Sequence, residues 1–167
     1  MITQQIESME VQVDPTPALQ LESTSTTDAA AISAAVSAAF QTMGEFLGRH
    51  AIAPVGPPRI IYTAWNDKET RFTLAFPIAG PLPEIDPAEV VSAATLPGTR
   101  ALRFEHVGPY ETLRETYGRI DAWLKEHKAI EGMSDWQRYM PMWEEYMNDP
   151  QTTPTSELVT RIYLPLN

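Results

Sequence analysis

The feature of this sequence that most constrains its fold is an internal repeat. Residues 18–22 and 101–105 both alternate apolar and polar side chains, a pattern that predicts half-buried strands. A helical pattern follows each of them, and a shift of 77 residues superposes the two helices. The superposed positions are Val36 with Leu113, Phe40 with Tyr117, Met43 with Ile120, Phe46 with Trp123, Leu47 with Leu124 and His50 with His127. The chain is therefore predicted to contain one folding unit twice.

Two further strands are predicted after each helix. They cover residues 59–65 and 71–78 in the first copy, and 139–146 and 157–166 in the second. Turn-prone Asn-Asp pairs at 66–67 and 148–149 join them. Two strand–helix–strand–strand units predict an α+β fold, in which one antiparallel sheet carries both helices on one face. A groove is expected along the pseudo-twofold axis. The expected core comprises Phe72, Leu74, Phe76 and Ile78 against Ile162, Leu164 and Leu166.

The repeat also divides the chain. Residues 1–14 are predicted to be an N-terminal extension, and residues 15–167 to be a single domain. Its two repeats span 15–80 and 99–167, and a proline-rich linker, 81–98, joins them.

The charge balance excludes several classes of function. Twelve basic and 22 acidic residues give a net charge of −10, which argues against direct binding of nucleic acid or of an anionic membrane. The absence of cysteine excludes disulfides and thiol catalysis. Neither a secretory signal nor a membrane-spanning run is present, so a cytoplasmic protein is expected. The three histidines lack metal-ligand spacing, and we expect neither a metal nor a cofactor.

The strand predicted over residues 139–146 carries the best candidate for a functional residue. Its alternation places Met140, Met142, Glu144 and Tyr146 on one face and Tyr139, Pro141, Trp143 and Glu145 on the other. A carboxylate against apolar neighbours loses hydration and favours a proton or a cation. Alternatively, Pro141 makes this an edge strand and Glu144 is solvated. Glu145 faces the opposite way and cannot form a carboxylate pair with Glu144.

Superposing the two Asn-Asp turns sharpens the first interpretation. It places Tyr62 at the position of Glu144, and Ala64 at that of Tyr146. A groove between the copies could then enclose Glu144 with Tyr62, Tyr146 and Met142, a combination that suits flat, apolar, cationic molecules. Trp123, beside the core-facing stripe of its helix, is a candidate for the floor of this pocket.

Three segments together resemble a known family. They are HVGPYETL at 106–113, WEEYMNDP at 143–150 and ELVTRIYLPL at 157–166, with Gly56-Pro57-Pro58 before Tyr62 as the matching motif of the first copy. The chain resembles the GyrI-like (gyrase-inhibitor-like) small-molecule-binding family over about residues 15–167. That family includes the effector-binding domains of AraC-type and MerR-type transcription regulators.

The resemblance implies a tandem strand–helix–strand–strand fold with a central pocket, in which Glu144 is the acidic residue. In multidrug-responsive members this Glu meets lipophilic cations among aromatic side chains. Some standalone relatives resemble hydrolases of cyclopropane alkylating compounds, in which the Glu activates water. Tyr62 and Tyr146 carry over as pocket walls. Because no DNA-binding segment is evident, we expect a standalone form.

Three functions stay open on the sequence. The first is sequestration or sensing of a small lipophilic ligand, with Glu144 as countercharge. The second is hydrolysis of a strained alkylating compound, with Glu144 as general base. The third is binding of a protein partner, either gyrase or a transcription regulator.

Overall fold

The computed structural model describes residues 6–166. Residues 1–5 of the predicted extension and Asn167 at the end of the predicted domain lie outside the described residues. The strands are β1 Met9–Val13, β2 Thr16–Thr26, β3 Arg59–Trp65, β4 Glu69–Pro77, β5 Ser92–Leu96, β6 Thr99–Val107, β7 Met142–Tyr146 and β8 Val159–Leu166. The helices are α1 Ala29–Arg49 and α2 Leu113–Glu126, with 3₁₀ helices at Tyr110–Thr112, Met133–Tyr139 and Thr155–Glu157.

The eight strands form one antiparallel sheet. Its strand order is β1-β6-β8-β7-β3-β4-β2-β5, so β3 and β7 join the two copies at its centre. Helix α1 packs on the first copy through Met43 and Phe46, and α2 packs on the second through Ile120 and Leu124. Both helices cover the same face, as the repeat predicted. The predicted α+β fold is confirmed.

The helix-facing side chains follow from the strand registers. Leu21, Leu74, Ile60, Glu144, Ile162 and Phe104 form one row across six strands. Of the predicted core, Phe72, Leu74, Ile78, Ile162 and Leu164 are buried, and Phe76 and Leu166 are partly buried. Helix α1 begins where the Asp28 carboxylate accepts a hydrogen bond from the Ala31 amide at 3.1 Å.

The sequence did not predict β1 and β5, which lie in the expected extension and linker. Strand β1 pairs with β6 of the second copy, and β5 pairs with β2 of the first. The two pairings share one register, since Val13 faces Thr99 and Thr16 faces Leu96. The continuous segments β1–β2 and β5–β6 therefore run antiparallel along each other. They approach closely at Gly98, where an added Cβ would lie 2.8 Å from Pro15. The predicted extension thus adds a strand to the second copy, and the predicted linker adds one to the first.

The bounds of three predicted strands are corrected, and the first is β4, which covers Glu69–Pro77 rather than residues 71–78. The strand expected from residue 139 begins at Met142, because residues 133–139 form a 3₁₀ helix that ends at Tyr139. Strand β8 begins at Val159 rather than 157. Pro141 therefore precedes β7, which lies between β3 and β8 in the interior of the sheet. The edge-strand alternative for Glu144 is wrong.

The length and hydropathy of the helices bear on membrane insertion. Among those of residues 6–166, none combines the length and the hydropathy needed to cross a bilayer.

Candidate functional site

Glu144 is the polar member of an apolar row. Its neighbours in that row are Ile60 on β3 and Ile162 on β8, and its own exposed fraction is 4%. A carboxylate in this position has lost almost all contact with water, which is costly unless other groups replace it.

Three tyrosine hydroxyls supply the replacement. Tyr146 donates to Oε1 of Glu144 at 2.7 Å, and Tyr62 donates to the same oxygen at 3.5 Å. Tyr117, on α2, donates to Oε2 in a very short hydrogen bond. Within residues 6–166, no Lys or Arg nitrogen lies within 4.0 Å of the carboxylate. The site therefore holds a carboxylate with three phenol donors but, in the described part of the chain, without an ion-pair partner from Lys or Arg.

Burial and hydrogen bonding act on the carboxylate in opposite directions. Burial raises the pKa of Glu144. It outweighs the hydrogen bonds from the three tyrosines and the charge of the nearby His106, which lower that pKa. Burial and the nearby carboxylate raise the pKa of each of these three phenols well above its ordinary value. The phenols therefore stay protonated and donate, while the carboxylate is the group poised to exchange a proton or gain a cation.

Further aromatic rings surround the tyrosines. The Tyr146 ring meets Phe40 and Tyr110 edge to face, with centroids 6.2 and 5.6 Å away. On the other side, Tyr62 meets Trp65 at 5.8 Å, and Tyr117 meets Trp136 at 6.3 Å. Glu144 thus lies between two groups of aromatic side chains.

The site lies on the pseudo-twofold axis of the repeat. Ile61 faces Trp143 at the middle of the β3–β7 pairing, and Tyr62 and Glu144 take equivalent places on either side. Phe40 and Tyr117 are likewise equivalent in the superposed helices. The expected groove is therefore occupied by the protein's own phenol groups, because they satisfy a carboxylate that would otherwise be desolvated.

The predicted site residues separate into two sets. Glu144, Tyr62 and Tyr146 come together, and Met142 faces Tyr62 across the β3–β7 pairing with 5% of its surface exposed. Trp123 does not join them. Its ring stacks on His127 at 3.9 Å and meets Phe104 at 5.5 Å. Neither of these contacts is with Glu144 or with a tyrosine that bonds to it.

Sequence reasoning missed Tyr117. It had been placed on the core-facing stripe of α2, in register with Phe40, but nothing in the stripe shows that its hydroxyl reaches β7. The available signal was the alignment of Tyr117 with Phe40. Of these two equivalent rings near the pseudo-twofold axis, only Tyr117 carries a hydroxyl, which predicts a hydrogen-bond partner near the axis.

Glu145 points to the opposite face, as the alternation predicts. Its Oε1 accepts a hydrogen bond from Tyr163 at 3.1 Å. Its Oε2 lies 3.5 Å from Nε of Arg59, close enough for an ion pair but not aligned as a hydrogen bond. The two adjacent carboxylates therefore act separately.

The arrangement of potential ligands bears on metal binding. In the described part of the chain, no three His, Asp or Glu side chains are grouped in a way that could hold a metal ion.

Comparisons with known proteins agree with this architecture. The model of the family described as GyrI-like small molecule binding domain matches residues 7–167. The chain is similar to EcmrR, solved by cryo-EM on DNA, with a TM-score of 0.73 and 12% identity over 95% of this chain. It spans only 56% of that EcmrR chain. The isolated EcmrR C-terminal domain matches over 97% of this chain and 98% of its own length, with a TM-score of 0.66 and 14% identity.

Two further solved structures share the fold. SAV2435, solved with tetraphenylphosphonium bound, has a TM-score of 0.64 and 13% identity, over 97% of this chain and 94% of its own. A hydrolase from Listeria innocua has a TM-score of 0.58 and 11% identity, over 99% of this chain and 94% of its own.

Proposed function

This chain belongs to the GyrI-like small molecule binding domain family, and from that membership we propose that it binds lipophilic organic cations beside Glu144. The observation that carries the proposal is a buried carboxylate that has three phenol donors and, among residues 6–166, no Lys or Arg nitrogen within 4.0 Å. A monovalent cation at this place would supply the missing charge and favour the ionised form of Glu144.

The surrounding rings suit a ligand whose charge is shielded by apolar groups. Aromatic faces attract a cation with about 0.5–2 kcal/mol each, and more when water is excluded. A small hydrated ion would have to give up its water shell here, whereas an organic cation with apolar arms has a much weaker shell. The site therefore favours bulky cations over metal ions or simple ammonium.

SAV2435 supports the choice of probe. It shares this fold and has been solved with tetraphenylphosphonium, an organic cation with four aromatic arms. The identity of 13% carries no residue-by-residue equivalence, so the support for Glu144 comes from the contacts in this chain.

The decisive experiment is calorimetric titration with tetraphenylphosphonium at pH 7.5. We expect Glu144→Gln to weaken binding by about 30-fold or more, since a buried charge loses its partner. Glu105→Gln removes an equal charge from a half-exposed position on β6 and is the matched control. Binding that survives Glu144→Gln, or falls equally in both variants, would refute the proposal.

The pH dependence gives a second readout on the same titration. Tetraphenylphosphonium cannot titrate, so any change in affinity comes from the protein. Because burial raises the pKa of free Glu144 and a bound cation would lower it, affinity should fall as the pH decreases through the free-state pKa. Glu144→Gln should flatten this profile.

A second candidate function is hydrolysis of a strained cyclopropane alkylating compound. The raised pKa of Glu144 favours it, since a general base works best near the operating pH. Glu144 would take a proton from water, and the hydroxide would attack one ring carbon as a strained carbon–carbon bond breaks. The protonated Glu144 would then give its proton to the leaving carbon. Mass spectrometry should show a hydrated, ring-opened product that disappears with Glu144→Gln. Lack of turnover across such compounds would exclude this function.

A further inference from the structure

Strand β3 contains an irregularity that β7 lacks. Tyr62 faces Phe72 on β4, but the next paired residue, Ala64, faces Arg71, so that Thr63 is an inserted residue of a β-bulge. The pairing of β7 with β8 runs without interruption from Trp143 to Tyr146.

The bulge changes which side chain follows Tyr62 on the helix-facing side. Arg71 is exposed, whereas Thr70 is fully buried, and Thr70 faces Trp65. Trp65 therefore shares the face of Tyr62, and the two rings meet edge to face at 5.8 Å. In β7, the residue that follows Glu144 on this face is Tyr146.

Trp65 and Tyr146 thus flank the site from equivalent places, but they differ in exposure. The exposed fraction of Trp65 is 41%, although its ring lies beside Tyr62, a donor to the buried Glu144. Tyr146 is partly buried behind Phe40 and Tyr110 and bonds to Glu144 at 2.7 Å. The Tyr62 hydroxyl is the most distant of the three donors, at 3.5 Å. The side of Glu144 that faces β3 is therefore the more weakly closed.

The end of β3 is also tied to the segment that follows α2. Nε2 of Gln137 donates to the backbone oxygen of Trp65 at 3.1 Å. Nε1 of Trp136, in the same 3₁₀ helix, donates to Asp121 on α2 at 2.9 Å, and its ring meets Tyr117. These bonds hold two indoles on the weakly closed side of the site.

We propose that Trp65 is a ligand-contacting residue that determines specificity for aromatic arms, and that the ligand reaches Glu144 by displacing the Tyr62 hydroxyl. The inference rests on the proposed function and specifies the side of entry. The cationic centre replaces the weakest donor of Glu144, and one aromatic arm packs against the indole that the bulge has brought to this face. Tyr146 keeps its hydrogen bond.

The first test compares two cations of equal charge. Trp65→Ala should weaken tetraphenylphosphonium about 3- to 30-fold and tetrapropylammonium, which has no aromatic arm, clearly less. Trp65→Phe should recover part of the loss. Trp123→Phe, whose ring lies against His127 and Phe104, is the control and should bind both cations like the parent protein. Because Trp65 is partly exposed, its variants should keep the parent melting temperature.

The second test separates the tyrosines. Tyr62→Phe should raise the affinity for tetraphenylphosphonium, because no hydrogen bond is then given up on binding. Tyr146→Phe should lower the affinity, because the hydrogen bond from Tyr146 helps to keep Glu144 ionised and the cation binds the ionised form.

The outcomes distinguish this inference from the proposed function. If Trp65→Ala binds both cations like the parent while Glu144→Gln abolishes binding, the entry side is wrong and the function stands. Equal losses in Tyr62→Phe and Tyr146→Phe would also overturn the entry side. If Glu144→Gln binds normally, the proposed function itself fails.

Discussion

Glu144 and Glu145 are consecutive residues of one strand, and both are almost fully buried, with exposed fractions of 4% and 8%. Glu144 lies in a row of apolar side chains that faces the helices. Glu145 lies in the row Glu105, Arg161, Glu145 and Arg59, whose charges alternate across four neighbouring strands. The difference shows that burial of a carboxylate does not by itself identify a functional site. What distinguishes the two residues is that Arg59 lies beside Glu145, whereas no Lys or Arg nitrogen of residues 6–166 lies within 4.0 Å of Glu144.

The alternating row explains how Glu145 is tolerated. Arg161 bonds to Glu105 at 3.1 Å, and the Arg59 guanidinium lies 5.5 Å from the centre of the Trp143 ring. Each charge on this face therefore has an opposite charge or an aromatic face beside it. Glu145 is interpreted as a structural residue, and Glu144 as the residue available to a ligand.

The largest expected effect on stability comes from Glu145→Gln. It leaves the Arg59 guanidinium buried without its partner, and breaking such a pair costs about 3 kcal/mol. Urea denaturation at pH 7.5 should show this fall in the free energy of unfolding. A fall below 1 kcal/mol would mean that water or Tyr163 already screens the pair, which would weaken the contrast with Glu144.

Tyr117→Phe should have the next largest effect. It removes a hydrogen bond to a charged group, which is worth about 2 kcal/mol above the pKa of Glu144. Because that bond lowers the pKa of Glu144, its loss should raise the pKa further, as measured by NMR titration of the side-chain carboxyl carbon. Tyr139→Phe, whose hydroxyl is not a donor to Glu144, is the matched control. An unchanged carboxyl titration in Tyr117→Phe would contradict the assigned geometry.

Glu144→Gln should change stability in the opposite direction to Glu145→Gln. A carboxyl whose pKa is raised by folding contributes stability that is complete below its unfolded pKa and is lost as the pH rises through the folded pKa. The variant avoids that loss, so at pH 8 its free energy of unfolding should exceed that of the parent by about 1 kcal/mol. Near pH 4 this gain in stability should disappear. Denaturation at both pH values measures the difference. A variant that is less stable at pH 8 would mean that the tyrosines bond the carboxylate better than burial penalises it.

The smallest effect is expected at the exposed end of the charged row. Glu105 is 47% exposed at its side chain, and such pairs contribute about 0.2–1 kcal/mol. Glu105→Gln should therefore lower the free energy of unfolding by less than 1 kcal/mol, and the change should shrink further in 0.5 M salt. A larger loss would show that the four charges act as one coupled unit.

The sequence predicted the features that depend on short-range patterns. The helix stripes, the bounds of β3 and the face of Glu144 follow from periods of 3.6 and 2 residues. It missed β1 and β5 because each of them pairs with a strand that is distant in the sequence, β6 and β2 respectively. In addition, β5 shows no alternation of its own. It missed Trp65 because a single inserted residue, Thr63, reverses every later side chain in the strand. The role of Tyr117 depends on how far its phenol extends from α2 toward β7. The spacing of residues along the sequence does not predict that distance.

The position of the site on the axis has a consequence for how such a site could be built. Two identical subunits related by a true twofold axis would place the same residue at both equivalent positions. Such a pair would bring together two carboxylates, which repel each other, or two phenols, which carry no charge. A single chain with both copies is free of this restriction. It can hold an acid, Glu144, at one of the two equivalent positions and a neutral donor, Tyr62, at the other. The covalent join is thus what allows one unpaired negative charge at the centre of a nearly symmetric molecule.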